Sequence, residues 1–369
     1  MVFSTHSASP FDTTLRIHYH LTMPHALDDL RVTGFDPLPE PQNVRDALPA
    51  TERCTDVVLR TRRELHAVLE GSDDRLVVIV GPCSIHDPKA ALEYASRLAA
   101  LRERVADRIL VLMRVYFDKP RTTVGWKGLI NDPKLDGTHD IDLGLRTARE
   151  VLLRINELGL PCATEFLDPV VPQYTADLVS WAAIGARTTE SQTHREMASG
   201  LSMPVGFKNT TDGSLQVAVD AMVSSRSAHH FVGVGMAGRV CVVRTSGNPD
   251  VHLVLRGGAR ATNYSRADLA YARVKLEDIG VLGRRILVDC SHGNSKKDFR
   301  RQSSVFESLL EQRAKGETGL MGMMLESHLV AGNQKMKPGE QLTYGQSITD
   351  ACIDWETTER LIDAAYAKA

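Results

Sequence analysis

The chain has 369 residues, enough for about two average domains or for one α/β barrel of about 250 residues with additions. Its residues are 43% hydrophobic and 24% charged, with 44 Lys and Arg against 46 Asp and Glu. This composition excludes a mainly disordered chain, a collagen and a coiled coil, and the net charge of -2 gives no support for general binding to nucleic acid or a membrane surface.

The first predicted element is a helix over residues 51–70, which follows a loosely structured segment containing several prolines. Thr51 is its predicted N-cap and Gly71 its predicted end. We therefore predict an N-terminal extension over residues 1–70 and a main domain over residues 71–369.

Short β-rich runs alternate with helix-like segments from residue 76 onward. Eight strands are predicted, over residues 76–80, 109–115, 161–165, 181–186, 204–208, 252–256, 286–290 and 320–326. The helices that follow them are predicted over 89–105, 143–158, 173–179, 191–199, 213–225, 266–280, 301–314 and 349–367. This α/β alternation predicts a parallel sheet, and the count of eight favours a closed (β/α)8 TIM barrel over a doubly wound open sheet. Residues 229–246 add a predicted β-hairpin inserted before the sixth strand.

Six cysteines are spread along the chain without a CxxC pair, which argues against a disulfide framework or a zinc finger. No apolar run approaches the length of a membrane span, and residues 1–21 lack the pattern of a secretion signal. We therefore expect a cytoplasmic protein in a reducing compartment.

Each predicted strand runs into a polar or ionisable residue at its C-terminal end. In a barrel these ends surround one mouth, which is the usual position of an active site. The cations among them and in the loops that follow are Arg114, Lys119, Arg121, Arg187, Lys208 and Arg256. For any single one of these cations, the alternative to a binding role is an ordinary solvated loop residue. Together they predict a site for more than one phosphate-bearing ligand, because guanidinium groups match the geometry of phosphate and carboxylate.

Four further residues are typical metal ligands in neighbouring loops. Cys83, His292, Glu326 and Asp350 fall in the first, seventh and eighth βα loops. A thiolate, an imidazole and two carboxylates suit a divalent ion such as Mn, Fe, Co or Zn. Because no local metal motif links them, a buried structural cysteine beside unrelated polar residues is the alternative.

Six segments resemble signatures of the class I 3-deoxy-D-arabino-heptulosonate 7-phosphate (DAHP) synthases. They are GPCSIHDP at 81–88, RVYFDKPRTTVGWKG at 114–128, AIGARTTES at 183–191, PVGFKN at 204–209, LRGG at 255–258 and SITD at 347–350. The resemblance covers about residues 72–353. Thr211 and Cys290 differ from the residues common in this family at those positions, and neither touches an expected ligand. It implies a (β/α)8 barrel and a transferase that condenses phosphoenolpyruvate with erythrose 4-phosphate, the first step of the shikimate route to chorismate and aromatic amino acids.

The resemblance also implies roles for individual residues. The metal ligands would be Cys83, His292, Glu326 and Asp350, and the catalytic residues Lys119, His292, Asp350 and Cys83, with Lys119 or Asp350 carrying the proton transfer. The phosphoenolpyruvate site would contain Arg114, Lys119, Glu165, Gly185, Ala186, Arg187, Lys208 and Arg256. The erythrose 4-phosphate site would contain Arg121, Thr122 and Asp350.

Regulation and assembly are implied in the same way. In the resembling family, the N-terminal segment helps to form an inhibitor pocket for Phe, Tyr or Trp, and the expected effector residues here are Asp28, Asp29, Pro172, Gln173 and Ser202. A homo-oligomer, either a dimer or a tetramer, is also expected. The alternative for the extension is that it only covers the barrel floor or an oligomer contact. The alternative functions are a 3-deoxy-octulosonate 8-phosphate synthase and an inactive paralogue that senses an aromatic amino acid.

Overall fold

The computed structural model describes residues 27–283, 285–336 and 341–368. The chain divides into two units, Met1–Pro39 and Glu40–Ala369. In the first unit, the described residues form no helix or strand, and the Val32 N–H donates to the Asp29 carbonyl at 3.0 Å. The expected effector residues Asp28 and Asp29 lie exposed in this unit. Residues 1–26 of the predicted extension lie outside the described residues.

The second unit contains the helices and strands. Its strands are β1 (Leu76–Gly81), β2 (Ile109–Arg114), β3 (Cys162–Glu165), β4 (Trp181–Ile184), β5 (Val205–Lys208), β6 (His230–Val234), β7 (Val240–Arg244), β8 (Val251–Leu255), β9 (Ile286–Asp289), β10 (Leu320–Glu326), β11 (Val330–Asn333) and β12 (Gln346–Ser347). Its α-helices are α1 (Pro41–Ala47), α2 (Glu52–Glu70), α3 (Pro88–Val105), α4 (Ile141–Glu157), α5 (Pro172–Thr175), α6 (Gln192–Gly200), α7 (Gln216–Ser225), α8 (Arg266–Glu277), α9 (Arg301–Ala314) and α10 (Trp355–Lys368).

The predicted (β/α)8 barrel is confirmed. Eight parallel strands close in the order β1-β10-β9-β8-β5-β4-β3-β2, and Val78 of β1 stands opposite both Val111 of β2 and Met323 of β10. All six residues of β1 are buried because helices cover the outside of the barrel and side chains fill its inside. The predicted hairpin is also confirmed, since β6 and β7 pair antiparallel before β8, the sixth barrel strand.

Two predicted helices differ from the structure. The helix predicted over 173–179 is a single α-turn, α5, followed by a 3-10 turn at Ala176–Leu178. The helix predicted over 349–367 begins only at Trp355, because Cys352 and Ile353 form β-bridges with Gly332 and Ser327. The short α1 was not predicted, although Pro41 at its first turn is a typical helix start.

Helix α2 closes the N-terminal end of the barrel. It has the predicted caps: Thr51 accepts a hydrogen bond from the Cys54 N–H, and Gly71 adopts the left-handed conformation with φ 82°. Its buried Leu65, Val68 and Leu69 join the cluster of side chains that fills the barrel interior. This leaves the C-terminal ends of the strands as the open mouth.

Polar contacts hold α2 to the strand starts. Arg62 donates to the carbonyls of Ala176 and Val179 just before β4, and His66 lies 2.8 Å from Asp250 just before β8. Arg285, just before β9, pairs with Glu70. Among the helices of the described residues, none combines the length and hydropathy of a membrane span.

Candidate active site

A cavity of about 880 Å³ opens at the C-terminal ends of the barrel strands. Most of the predicted site residues share its lining, which is the arrangement that parallel strands of a closed barrel impose. The predicted residues in the lining are Arg114, Lys119, Arg121, Thr122, Glu165, Gly185, Ala186, Arg187, Lys208, Arg256, His292 and Asp350. Cys83 and Glu326 are fully buried next to this lining.

Three of the four predicted metal ligands converge. The donor atoms of Cys83, Glu326 and Asp350 all lie within 4.8 Å of one another. Nε2 of His292 lies 3.8 Å from Oε1 of Glu326, at the edge of this group. Residues far apart in the sequence meet here because β1, β9 and β10 are neighbours in the barrel.

The surroundings set the charges of these donors. Burial and the nearby Glu326 carboxylate raise the pKa of the Cys83 thiol to about 11. Burial also disfavours the charged form of Glu326, but His292 and Arg114 outweigh it and hold the pKa of this carboxyl below its usual value. A buried thiol beside ionised carboxylates favours a cation at this point, because a positive charge stabilises both the thiolate and the carboxylates.

His292 is held in an unusual conformation by its neighbours. Its φ of 53° is left-handed, which is uncommon for a residue with a side chain. Its Nδ1 lies 3.0 Å from Oδ2 of the fully buried Asp289. A carboxylate on one ring nitrogen leaves the other available to a metal, which is a common arrangement for histidine ligands.

Lys119 lies between the donor group and the cavity. Its Nζ is 2.9 Å from Cys83 Sγ and 2.7 Å from Asp350 Oδ2. Burial disfavours its charge, but Cys83 and Asp350 outweigh burial and raise the pKa of the ammonium. Lys119 is therefore a fixed cation in this structure.

Arg114 is buried and fully engaged by its surroundings. Its guanidinium donates to the carbonyls of Pro82 and Cys83 and pairs with Glu326 at 3.1 Å. It also stacks 3.5 Å from the centre of the Tyr116 ring. Arg114 therefore fixes Cys83 and Glu326 in addition to lining the cavity.

Lys208 and Asp289 form a second buried pair, with Nζ and Oδ2 3.1 Å apart. Burial opposes the charge on Asp289, but His292 and Lys208 hold its pKa well below the usual range. Sequence reasoning gave Asp289 no role. Its position as the last residue of β9 was the signal that could have identified it.

Glu165 stands against the cavity wall, and its buried Oε1 has no hydrogen-bond partner among the described residues. A Cβ at Gly185 would lie 2.3 Å from that oxygen, so only glycine lets the carboxylate take this position. Asp118, which was not predicted, lines the same cavity and is 5% exposed. Burial, with Asp168 and Glu165 nearby, raises the pKa of Asp118 to about 7.

Of the remaining predicted cations, Arg121 and Arg187 are exposed, whereas Arg256 is buried. Arg187 Nε donates to Thr122 Oγ1 at 3.2 Å, and Arg121 Nε donates to the Trp126 carbonyl at 2.8 Å. The Arg256 backbone N–H donates to Asn209 Oδ1 at 2.8 Å. Three more cations in the lining were missed by the sequence reasoning: Arg260, Lys296 and Lys297. They lie several residues past their strands, outside the strand-end pattern.

The expected effector residues of the barrel unit lie away from this cavity. Pro172 is buried at the start of α5, and the Gln173 carbonyl accepts a hydrogen bond from Arg45 of α1 at 2.8 Å. Ser202 is exposed in the turn between α6 and β5. None of these three residues lines the cavity.

Comparisons with known proteins agree with this architecture. The sequence profile of the DAHP synthetase I family matches residues 51–363. The Phe-sensitive phospho-2-dehydro-3-deoxyheptonate aldolase of Escherichia coli K12 is 53% identical over 335 residues, which cover 91% of this chain and 95% of the relative. The Tyr-sensitive enzyme of the same strain is 52% identical over 338 residues, with coverage of 91% and 94%.

A solved structure shares the fold at high similarity. The phospho-2-dehydro-3-deoxyheptonate aldolase of Francisella tularensis SCHU S4 superposes with a TM-score of 0.88 at 46% sequence identity, covering 91% of this chain and 98% of that one. The matched residues span nearly the whole barrel unit. The chain belongs to the DAHP synthetase I family.

Proposed function

We propose that this enzyme condenses phosphoenolpyruvate with D-erythrose 4-phosphate and water to give 3-deoxy-D-arabino-heptulosonate 7-phosphate and inorganic phosphate. The observation that carries the proposal is the shared cavity, which places a Cys–Glu–Asp donor group beside cations suited to phosphate and carboxylate. Relatives of more than 50% identity named phospho-2-dehydro-3-deoxyheptonate aldolase support it.

The donor group fits one divalent metal ion. Cys83, Glu326 and Asp350 would hold it, with His292 as the fourth ligand, oriented by Asp289. A set of one sulfur, one nitrogen and two carboxylate donors suits Mn, Fe, Co or Zn. When bound, such an ion supplies Lewis acidity for the aldehyde oxygen of the aldose phosphate.

The cations divide the work of binding the two substrates. Lys208, Arg187 and Arg256, with Arg114 and Lys119 deeper, would neutralise the phosphate and carboxylate of phosphoenolpyruvate. Arg121 and Thr122 would hold the phosphate of erythrose 4-phosphate. Fixing both substrates in one cavity brings C3 of phosphoenolpyruvate against the aldehyde carbon, which lowers the entropic cost of forming the C–C bond.

Proton transfer falls to the polar groups around the reacting carbons. Lys119 holds a proton between Cys83 and Asp350 and can donate it to the oxygen that forms at the former aldehyde. Glu165, whose Oε1 has no partner among the described residues, can accept the proton of the water that adds at C2. The hemiketal then loses phosphate by C–O cleavage, beside Arg187 and Arg256.

We also propose feedback inhibition by an aromatic amino acid and assembly into a dimer or tetramer. Relatives named Phe-sensitive, Tyr-sensitive and Trp-sensitive support an aromatic effector. The effector residues proposed are Asp28, Asp29, Pro172, Gln173 and Ser202, which lie away from the metal ligands in sequence.

The choice of aldose phosphate substrate distinguishes this function from that of a 3-deoxy-octulosonate 8-phosphate synthase. The loop Lys119-Pro120-Arg121-Thr122 argues against a 3-deoxy-octulosonate 8-phosphate synthase, and the intact donor group argues against an inactive paralogue. The test is to supply phosphoenolpyruvate and Mn with either aldose phosphate and identify the product by mass spectrometry. We expect the seven-carbon product from erythrose 4-phosphate. A preference for the aldose phosphate of the rival family would contradict the proposal.

A further inference from the structure

The exposed cations in the cavity lining fall into two groups. Arg121 follows β2 and Arg187 follows β4, and the hydrogen bond from Arg187 to Thr122 joins these two loops. Arg260 follows β8, and Lys296 and Lys297 follow β9. In the closed strand order, β8 stands four positions from β2 in either direction. Arg260 therefore lies across the mouth from Arg121, and the two lysines follow β9, the strand next to β8.

The loops after β8 and β9 are locked together. A Cβ at Gly293 would lie 2.7 Å from the Gly258 nitrogen, so the two backbones approach as closely as glycine allows. The Asn263 N–H donates to Asn294 Oδ1 at 2.9 Å, and the Gly257 N–H donates to Asn263 Oδ1 at 2.7 Å. Arg260 and the two lysines are therefore carried on one rigid unit.

Lys296 and Lys297 both have left-handed backbones, with φ of 53° and 60°. Their N–H groups donate to the carbonyls of Gly293 at 3.1 Å and His292 at 2.8 Å, which hold the turn in place. Such conformations cost residues with side chains free energy and concentrate at functional sites. Both lysines are exposed and line the cavity.

No carboxylate among the described residues balances this group. Asp298, the nearest acidic residue in sequence, pairs with Arg300 and Arg301 instead. The carboxylates of the cavity lining are Asp118, Glu165 and Asp350, and none of them belongs to the loops after β8 and β9. Three cations on two touching loops, without an ion-pair partner among the described residues, are stabilised by an anionic ligand.

We propose that Arg260, Lys296 and Lys297 form a rim phosphate site, a third anion subsite across the mouth from Arg121 and Thr122. The proposal rests on the proposed function, in which two phosphate groups enter the cavity and one leaves as inorganic phosphate. The ligand is a phosphate dianion, supplied either by the incoming aldose phosphate or by the phosphate product. The rim site holds it at the mouth as it arrives or departs.

The experiment measures inorganic phosphate binding by calorimetry on the full-length, Mn-loaded enzyme saturated with phosphoenolpyruvate. The test variants are the double substitution Lys296→Gln with Lys297→Gln, and Arg260→Gln. The matched control is Arg300→Gln, an exposed cation of the same segment outside the cavity lining. We expect each test variant to weaken phosphate binding by about five- to tenfold, the modest range for exposed charged contacts, and the control to match the parent.

Two kinetic arms identify the source of the phosphate. A raised KM for erythrose 4-phosphate assigns the rim to the incoming aldose phosphate. Weaker product inhibition by inorganic phosphate assigns it to the leaving group. Lys296→Gly with Lys297→Gly removes the charges while tolerating the left-handed backbone, so it separates loss of charge from misfolding. Lysine-to-arginine replacement at both positions should retain binding.

The rim proposal and the proposed function fail in different ways. If the test variants bind phosphate and turn over substrates as the Arg300→Gln control does, the rim site is refuted. If phosphate binding depends on the rim cations but no variant or parent releases phosphate from phosphoenolpyruvate, the proposed function is refuted and the rim site stands.

Discussion

At the scale of single residues, the cavity wall changes the chemistry of its carboxyl groups. Asp118 and Glu165 are both buried, and neither forms an ion pair with the described residues. By contrast, Asp289 pairs with Lys208 and His292. Glu326 pairs with Arg114. Burial pushes Asp118 towards the protonated form, whereas Asp289 and Glu326 are held ionised by their partners. For Asp118, this difference predicts a measurable dependence of stability on pH.

Asp118→Asn should stabilise the protein at alkaline pH. The pKa of Asp118 is raised from its ordinary value of 3.8 to about 7 in the fold, so the folded state binds more protons than the unfolded chain between these values. The parent therefore loses stability as the pH rises from about 4 through 7, by up to about 4 kcal/mol, and the neutral amide avoids that loss. Urea unfolding at pH 4.5 and pH 8.5 measures the difference. Equal gains at both pH values would contradict the burial of a protonated Asp118.

Arg121→Ala and Arg256→Ala should affect different substrates. Arg121 lies beside Thr122 in the loop after β2, and Arg256 lies at the end of β8 across the barrel. A charged phosphate contact contributes roughly 1.5–3 kcal/mol of binding free energy. Arg121→Ala should therefore raise the KM for erythrose 4-phosphate about ten- to a hundredfold. Arg256→Ala should raise the KM for phosphoenolpyruvate by a similar factor of about ten to a hundred. Steady-state kinetics with each substrate varied gives both constants. Equal effects on the two substrates would disprove the division into two subsites.

At the scale of elements, α2 is part of the barrel interior. Its apolar face supplies Leu65, Val68 and Leu69 to the cluster that also contains Val77 of β1 and Met324 of β10. The outside of β1 packs on helices through the alternate residues Leu76, Val78 and Val80, so both faces of the strand are buried. Helix α2 thus closes one end of the barrel and leaves the cavity at the other.

Leu65→Ala should destabilise the fold strongly. Leu65 is fully buried at the closed end, and truncating a buried leucine costs about 2–5 kcal/mol of unfolding free energy. Leu59 on the same helix is 47% exposed, so Leu59→Ala is the matched control and should cost far less. Denaturant unfolding of the two variants compares them directly. Similar losses would show that α2 does not seal the interior.

The elements that sequence reasoning predicted well are those with a strong local signal. The first two barrel strands are nearly continuous apolar runs, with a charged residue at the end of β2, and α2 carries both of its caps at its ends. The late start of α10 was not predictable, because Cys352 and Ile353 are held by bridges to Gly332 and Ser327, which lie 20 and 26 positions earlier in the chain. The same limit applies to the site. Strand-end charges were visible, but the Asp289–His292 contact and the left-handed lysines depend on loop geometry.

At the scale of the whole molecule, the proposed regulation involves residues in both units of the chain. Asp28 and Asp29 belong to the unit Met1–Pro39, whereas Pro172, Gln173 and Ser202 belong to the barrel unit, outside the cavity lining. An effector bound at such residues can change activity only by binding the active and inactive states with different affinity. Because Pro172, Gln173 and Ser202 lie outside the cavity lining, we expect that regulation and turnover can be uncoupled.

Deleting residues 1–32, or introducing Ser202→Phe, should leave turnover largely intact and remove inhibition by one aromatic amino acid. The added phenyl ring would fill the space that the ring of the effector needs. Initial rates with Phe, Tyr or Trp at millimolar concentration measure this for parent and variants. A parent that ignores all three amino acids would refute the regulatory proposal and leave residues 1–70 with a structural role.

The proposed reaction is a metal-dependent condensation in the cavity that Cys83, His292, Glu326 and Asp350 border. The most direct test is phosphate release with both substrates, measured before chelation, after chelation and after adding back Mn. We predict phosphate release that requires both substrates, is abolished by the chelator and returns with Mn, Co or Fe. Full activity of an enzyme verified to be metal-free, or no release from the Mn-loaded enzyme with both substrates, would contradict it.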